Sequence, residues 1–82
     1  MTDVLIYSTH SCPYCKMLKS WLEERGQIYE DKFVDDDKVA MEEMMKISDG
    51  HLGVPFSVVT KADGTSTKII GFDKAKFEEA LK

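Results

Sequence analysis

The sequence predicts a single α/β domain in which a four-stranded mixed sheet is flanked by helices. A short apolar run near the N-terminus is followed by apolar residues at helical spacing, and two strand-like segments joined by a turn lie in the second half. The chain has 82 residues, 43% of them hydrophobic and 32% charged, which suffices for one small core. The predicted order of elements is β-α-β-α-β-β-α, with a parallel, right-handed first β-α-β unit.

The first three elements are predicted from local patterns. Residues 3–8 contain the apolar run Val4-Leu5-Ile6-Tyr7 and form the first strand. A helix follows over about residues 14–25, and Gly26 can end it by adopting the left-handed conformation common after helices. Residues 28–34 mix apolar and charged side chains, which favours an edge strand.

The second half contains two helices and a hairpin. Strands at residues 56–61 and 66–70 are separated by the turn 62–65, which predicts an antiparallel hairpin. One helix covers about residues 37–48, and a shorter last helix begins after Asp73 as its N-cap. The apolar residues of both helices recur at helical spacing and are expected to face the core: Ala40, Met41, Met44, Met45 and Ile47 in the first, Phe77, Ala80 and Leu81 in the second.

Composition excludes several classes of function. The net charge is −4 and no stripe of Lys and Arg is present, so a nucleic-acid partner is not expected. No apolar run approaches the ~18 residues of a membrane span, and the N-terminus lacks the features of a secretory signal. We therefore expect a monomer in the cytoplasm, where two cysteines only three positions apart serve chemistry or metal binding rather than linking distant parts of the fold.

The segment Cys12-Pro13-Tyr14-Cys15 carries the chemistry of this chain. As N-cap of the first helix, Cys12 would receive the free amide hydrogens of Tyr14 and Cys15, and with the helix dipole and Lys16 these favour its thiolate. Pro13 suits the first helical position. Cys12 is thus the predicted nucleophile and Cys15, one turn further and deeper, the resolving thiol.

The predicted reaction is reduction of a disulfide. The Cys12 thiolate attacks a substrate disulfide, and Cys15 then attacks the resulting mixed disulfide and releases the reduced substrate. The same cysteine spacing also occurs in zinc and iron-sulfur sites, so a metal-binding module in which His10 and His51 join the two cysteines is an alternative. A third class is a binding module without turnover, against which the presence of both cysteines argues.

Three motifs in this order resemble the glutaredoxins over almost the whole chain: Cys12-Pro13-Tyr14-Cys15, Val54-Pro55 before the third strand, and Gly71-Phe72-Asp73 before the last helix. The resemblance implies a thioredoxin fold and the reduction of disulfides in proteins or in mixed disulfides with glutathione. It also implies glutathione as the reductant. We expect no tightly bound cofactor, the alternative being a subunit-bridging iron-sulfur cluster held by Cys12 and glutathione.

The resemblance further implies a glutathione groove. The proline matching Pro55 is cis in glutaredoxins and faces the cysteines, although sequence alone favours trans because cis is ~5% of X-Pro bonds. The backbone of the residue matching Val54 pairs with glutathione as an added strand. Asp73, with the backbone of Phe72, would receive the γ-glutamyl amine. Tyr14 either lines this groove or covers the start of the helix.

Several positions depart from the glutaredoxin pattern. Thr9 stands where many members have a lysine, Gly53 replaces the usual threonine, and His51 occupies an Arg or Gln position. Ile70-Gly71 replaces a common Gly-Gly pair, and Phe72 resembles small redoxins that feed ribonucleotide reductase and draw electrons from thioredoxin reductase. The reductant is therefore glutathione or, alternatively, a flavoprotein of the thioredoxin-reductase type.

Overall fold

The computed structural model describes residues 2–50 and 53–81 and contains the seven elements in the predicted order. Each element begins and ends within one or two residues of its predicted limits. The elements are β1 (Asp3–Ser8), α1 (Pro13–Glu24), β2 (Tyr29–Phe33), α2 (Lys38–Ile47), β3 (Phe56–Thr60), β4 (Ser66–Ile70) and α3 (Lys74–Ala80).

The four strands form one mixed sheet in the order β2-β1-β3-β4. β1 pairs with β2 in parallel, and the other two pairings are antiparallel, which confirms the predicted sheet and the edge position of β2. Phe56 at the start of β3 is aligned with Tyr7 near the end of β1 and with Ile70 at the end of β4. The loop after β1, the segment before β3 and the segment after β4 therefore meet at one end of the sheet.

One face of the sheet packs against α1 and α3. Because side chains alternate along a strand, Val4 and Ile6 of β1 point to this face, while Leu5 and Tyr7 point to the other. Burial of each large apolar side chain stabilises the fold by about 1.5 to 3 kcal/mol. The buried residues of this cluster are Val4, Ile6, Leu18, Leu22, Val59, Ile69, Phe77 and Ala80.

The opposite face packs against α2, and here one sequence prediction is wrong. Ala40 and Met44, one turn apart, are buried, and Met41 and Ile47 pack beside them. Met45 was predicted to face the core but is 43% exposed, because α2 contacts the sheet through a narrower stripe than its apolar residues suggest. Among the residues that the structure describes, no helix combines the length and hydrophobicity needed to cross a membrane.

Candidate active site

Cys12 is the N-cap of α1, as the sequence predicts. Its backbone is extended, with φ −85° and ψ 109°, and the helix begins at Pro13. The Cys15 N–H donates to the Cys12 Sγ over 3.1 Å, and the Cys12 N–H donates to the Thr9 carbonyl oxygen over 3.4 Å. The turn from Thr9 to Cys12 therefore places the Cys12 Sγ at the N-terminal end of α1, where backbone N–H groups have no acceptor within the helix.

Cys12 and Cys15 form a disulfide, so the structure shows the oxidised state. Their Cα atoms are 5.3 Å apart, within the usual range for a disulfide. Cys15 is fully buried, whereas Cys12 retains 8% exposure. Cys12 is thus the sulfur that a partner molecule reaches first, while the neighbouring Tyr14 is 61% exposed and free to contact that partner.

The segment before β3 lies at the same end of the sheet. The Val54-Pro55 peptide bond is cis, as the family resemblance implied. Pro55 is buried, and its carbonyl oxygen accepts a hydrogen bond of 2.8 Å from the Gly71 N–H. Gly71 has φ +77°, a conformation that glycine adopts without steric cost. This bond ties the entrance of β3 to the exit of β4.

Phe72 and Asp73 continue from this connection into α3. The Asp73 carboxylate accepts a hydrogen bond of 3.2 Å from the Lys76 N–H, which confirms its predicted N-cap role. The Phe72 ring packs edge-on against Trp21 of α1, with ring centroids 6.0 Å apart. The Phe72 side chain therefore links the start of α3 to the helix that carries the cysteines.

A group of polar side chains behind α1 was not predicted. The Ser8 hydroxyl donates to the Asp31 carboxylate over 2.6 Å, and Lys19 forms an ion pair with the same carboxylate. Ser8 is fully buried, and the side chains of Lys19 and Asp31 are 15% and 17% exposed. Because Lys19 lies one helical turn after Cys15, this pair fixes the active-site helix to the edge strand β2.

His10 anchors the loop that leads to Cys12. Its ring stacks on Phe33 at a centroid distance of 4.1 Å, and its Nδ1 is 3.1 Å from the Asp35 carboxylate. The His10 backbone N–H also donates to Asp35 over 3.0 Å. These hydrogen bonds, above all the one from the backbone N–H, lower the pKa of Asp35 below its ordinary value. The loop is therefore held to the turn that follows β2.

Three of the four ligands in the alternative metal-site hypothesis lie within the described residues. Cys12 and Cys15 are joined to each other, and His10 is engaged with Asp35 and Phe33. His51, the fourth ligand of that hypothesis, lies outside the described residues. Within residues 2–50 and 53–81, no group of three or more His, Cys, Asp or Glu side chains is arranged to hold a metal ion.

Sequence reasoning missed these supporting contacts although weak signals existed. Ser8 is a polar residue at the end of an apolar strand, and Asp31 is a charged residue in the middle of a strand that mixes apolar and charged side chains. Each suggests a polar partner, but the partners come from elements 12 to 25 positions away.

Comparison with known proteins gives consistent matches. The family model described as Glutaredoxin matches residues 4–60. A glutaredoxin-like 8.6 kDa protein of the rubredoxin operon of Clostridium pasteurianum is 37% identical over 79 residues, which cover 96% of this chain and 97% of that protein. Mycoredoxin 1 of Corynebacterium glutamicum is 42% identical over 65 residues, or 79% of this chain and 77% of that protein. The crystal structure of a glutaredoxin from Archaeoglobus fulgidus has a TM-score of 0.73 at 27% identity and covers 100% of this chain and 88% of its own.

Proposed function

The chain belongs to the glutaredoxin family of thiol-disulfide oxidoreductases, and from this premise we propose that it reduces protein disulfides and glutathione mixed disulfides with electrons from glutathione. The observation that carries the proposal is the position of the Cys12 sulfur at the N-cap of α1, where it accepts the Cys15 N–H over 3.1 Å. A donor aimed at this sulfur stabilises the thiolate, which is the nucleophilic form of cysteine.

The first step is attack by the Cys12 thiolate on one sulfur of a substrate disulfide. A new S–S bond forms between Cys12 and that sulfur, while the old S–S bond breaks and the second substrate sulfur leaves as a thiolate that takes a proton from solvent. The greater exposure of Cys12 supports this assignment, because Cys15 is fully buried and reaches no external disulfide.

The second step is attack by Cys15 on the Cys12 sulfur of the mixed disulfide. The Cys12-Cys15 bond forms and the bond between Cys12 and the substrate breaks, so that the substrate leaves fully reduced. In the resulting oxidised form the two Cα atoms are 5.3 Å apart, within the usual range for a disulfide. Two electrons have then passed from the dithiol to the substrate.

Glutathione restores the dithiol in two exchanges. One glutathione thiolate attacks Cys12 and releases Cys15, and a second removes the first as glutathione disulfide. We assign the glutathione groove to Tyr14, to the backbone of Val54 next to Pro55, and to Phe72 with Asp73. The bond between Gly71 and Pro55 supports this grouping because it joins the Val54 segment to the Phe72 segment.

Further features of the proposal follow from the sequence. The protein acts in the cytoplasm as a monomer, without a tightly bound cofactor. A flavoprotein reductase is the alternative electron source, favoured by Thr9, which supplies no cation for a glutathione carboxylate, and by Phe72, which matches the redoxins that use such a reductase.

The experiment that tests the proposal couples disulfide reduction to NADPH oxidation. The purified protein is supplied either with glutathione and glutathione reductase or with thioredoxin reductase alone. Turnover with the glutathione system supports the proposal, and turnover with thioredoxin reductase alone replaces glutathione by a flavoprotein as electron donor.

Cysteine variants test the assigned roles in the same assay. The Cys12→Ser variant is expected to lose all activity, and Cys15→Ser is expected to accumulate a mixed disulfide detectable by mass spectrometry. A Ser11→Ala variant, altered at an exposed neighbouring residue, serves as the control. Full activity of Cys12→Ser would refute the mechanism.

A further inference from the structure

A groove runs along the outer side of α1 and is bounded on its other side by the segment that enters α3. We call it the α1–α3 groove. Its volume is about 360 Å³, and its lining includes Lys16, Met17, Trp21, Glu24, Phe72 and Lys74. Its lining on α1 begins at Lys16, the residue after Cys15, and continues along the helix away from the two cysteines.

The dimensions of the groove suit a peptide segment. Lys16 and Glu24 are eight residues apart on α1, which corresponds to about 12 Å along a helix. An extended chain covers that distance with three to four residues. Glutathione has only one residue on each side of its cysteine, so it is too short to fill the groove when its sulfur is bonded to Cys12. A segment of a protein substrate is long enough to fill it.

The floor of the groove is apolar and partly accessible. Met17 is 52% exposed, and Trp21 is half-buried. Phe72 meets Trp21 edge-on, and their ring centroids are 6.0 Å apart. An extended segment lying here covers these side chains, whose burial favours binding.

The charge of the groove differs from that of the whole protein. The net charge of the chain is −4, yet two lysines border the groove. The Lys74 Nζ lies over the Phe72 ring at 5.6 Å, and in the described part of the chain neither Lys16 nor Lys74 is paired with a carboxylate. Glu24 is the acidic group, at the end further from Cys12 along α1. A negatively charged segment lying beside Lys16 and Lys74 is thus complementary to this surface.

We propose that the α1–α3 groove binds an acidic segment of a protein substrate, with carboxylates within about three residues of the cysteine that Cys12 attacks. The inference rests on the proposed function and names its substrate class. While the segment lies in the groove, the Cys12 thiolate forms a bond to the substrate cysteine, and the sulfur formerly bonded to that cysteine leaves as a thiolate. Glu24 opposes carboxylates further along the segment.

The test uses peptides whose single cysteine is joined to thionitrobenzoate, which absorbs visible light when released. The cysteine is flanked, on either side in separate peptides, by two aspartates, two lysines or two serines. Reduced wild-type protein is expected to react about three-fold faster for each lysine-carboxylate pair, or about ten-fold faster with the diacidic peptide than with the serine peptide. Because exposed charges are screened, this preference should decline in high salt.

Charge reversal provides the decisive comparison. In a Lys16→Glu/Lys74→Glu variant, the ratio of rates for acidic and basic peptides is expected to invert. The matched control is Lys61→Glu/Lys68→Glu, which changes the net charge equally but alters the hairpin of β3 and β4. Because the readout is a ratio between peptides, a general change in the reactivity of Cys12 does not affect it.

A second measurement is independent of catalysis. Trp21 is the single tryptophan of the chain and lines the groove, so its fluorescence reports binding of a cysteine-free acidic peptide. Equal reaction with all peptides, or no response of Trp21, would overturn the groove assignment while reduction of glutathione mixed disulfides leaves the proposed function intact. Loss of disulfide reduction with a retained fluorescence response would instead overturn the proposed function.

Discussion

Replacement of Asp31 by leucine is expected to destabilise the protein more than replacement of its partner Lys19 by methionine. The Asp31 carboxylate accepts a hydrogen bond of 2.6 Å from the Ser8 hydroxyl and forms an ion pair with the Lys19 ammonium. Asp31→Leu therefore leaves two donors without their acceptor, one of them fully buried. Lys19→Met removes one donor, and Asp31 keeps its bond to Ser8.

The magnitude follows from the degree of burial. Exposed ion pairs contribute about 0.2 to 1 kcal/mol, and breaking a buried pair costs about 3 to 5 kcal/mol. With 15% and 17% exposure, the Lys19–Asp31 pair lies between these limits. We expect the free energy of unfolding to fall by about 2 to 3 kcal/mol for Asp31→Leu, a value that includes the cost of leaving the Ser8 hydroxyl unpaired. For Lys19→Met we expect it to fall by about 1 kcal/mol. The double variant should lose less than the sum, since the two residues interact directly.

The assay is urea denaturation of the reduced proteins, followed by circular dichroism. Reducing conditions keep the Cys12-Cys15 pair in one state in every variant. Glu30→Leu, an exposed carboxylate on the same strand, is the matched control and should change stability by less than about 0.5 kcal/mol. Additive losses in the double variant, or a larger loss for Lys19→Met than for Asp31→Leu, would refute this reasoning.

Two further predictions concern the loops at the active-site end of the sheet. The pKa of Asp35 is lowered by its hydrogen bonds from His10, so this contribution to stability is present above the ordinary pKa of aspartate, near ~3.9, and is lost as the pH falls through the lowered value. Between pH 5 and 2, the urea midpoint of Asp35→Asn should fall less steeply with decreasing pH than that of the wild-type protein. Parallel curves of midpoint against pH for the two proteins would contradict this. Gly71→Ala should lower the free energy of unfolding by about 1 kcal/mol, or Tm by about 4 to 8 °C, because φ is +77°. Space is not the cause, since within the described residues no atom beyond the two chain neighbours lies within 4 Å of an added Cβ. An unchanged Tm would show that the positive φ carries no cost.

Local signals sufficed for the elements and for the redox pair. The strand β1, the N-cap at Cys12 and the N-cap at Asp73 depend on residues close in sequence, and the structure has all three as predicted. The cis bond before Pro55 came from the family resemblance, since sequence alone favours trans.

Local sequence patterns could not predict the contacts between elements that are distant in sequence. The Ser8–Asp31 bond requires the parallel register of β1 and β2, and the His10–Asp35 contact requires two loops to meet. Met45 was misplaced because the width of the buried stripe on α2 depends on how the helix lies on the sheet. A hydrophobic period shows which side of a helix is apolar, but not how much of that side the sheet covers.

The central position of β1 has a mechanical consequence. The proposed mechanism bonds Cys12 to a substrate protein, and thermal motion of that protein then pulls on the loop between β1 and α1. β1 is aligned with β2 over five residue pairs on one side and with β3 over five on the other. A pull along β1 must therefore shear both ladders at once, because β1 is paired on both sides and cannot peel away as an edge strand can. In the proposed mechanism, this resistance keeps the bound sulfur in place while Cys15 attacks it.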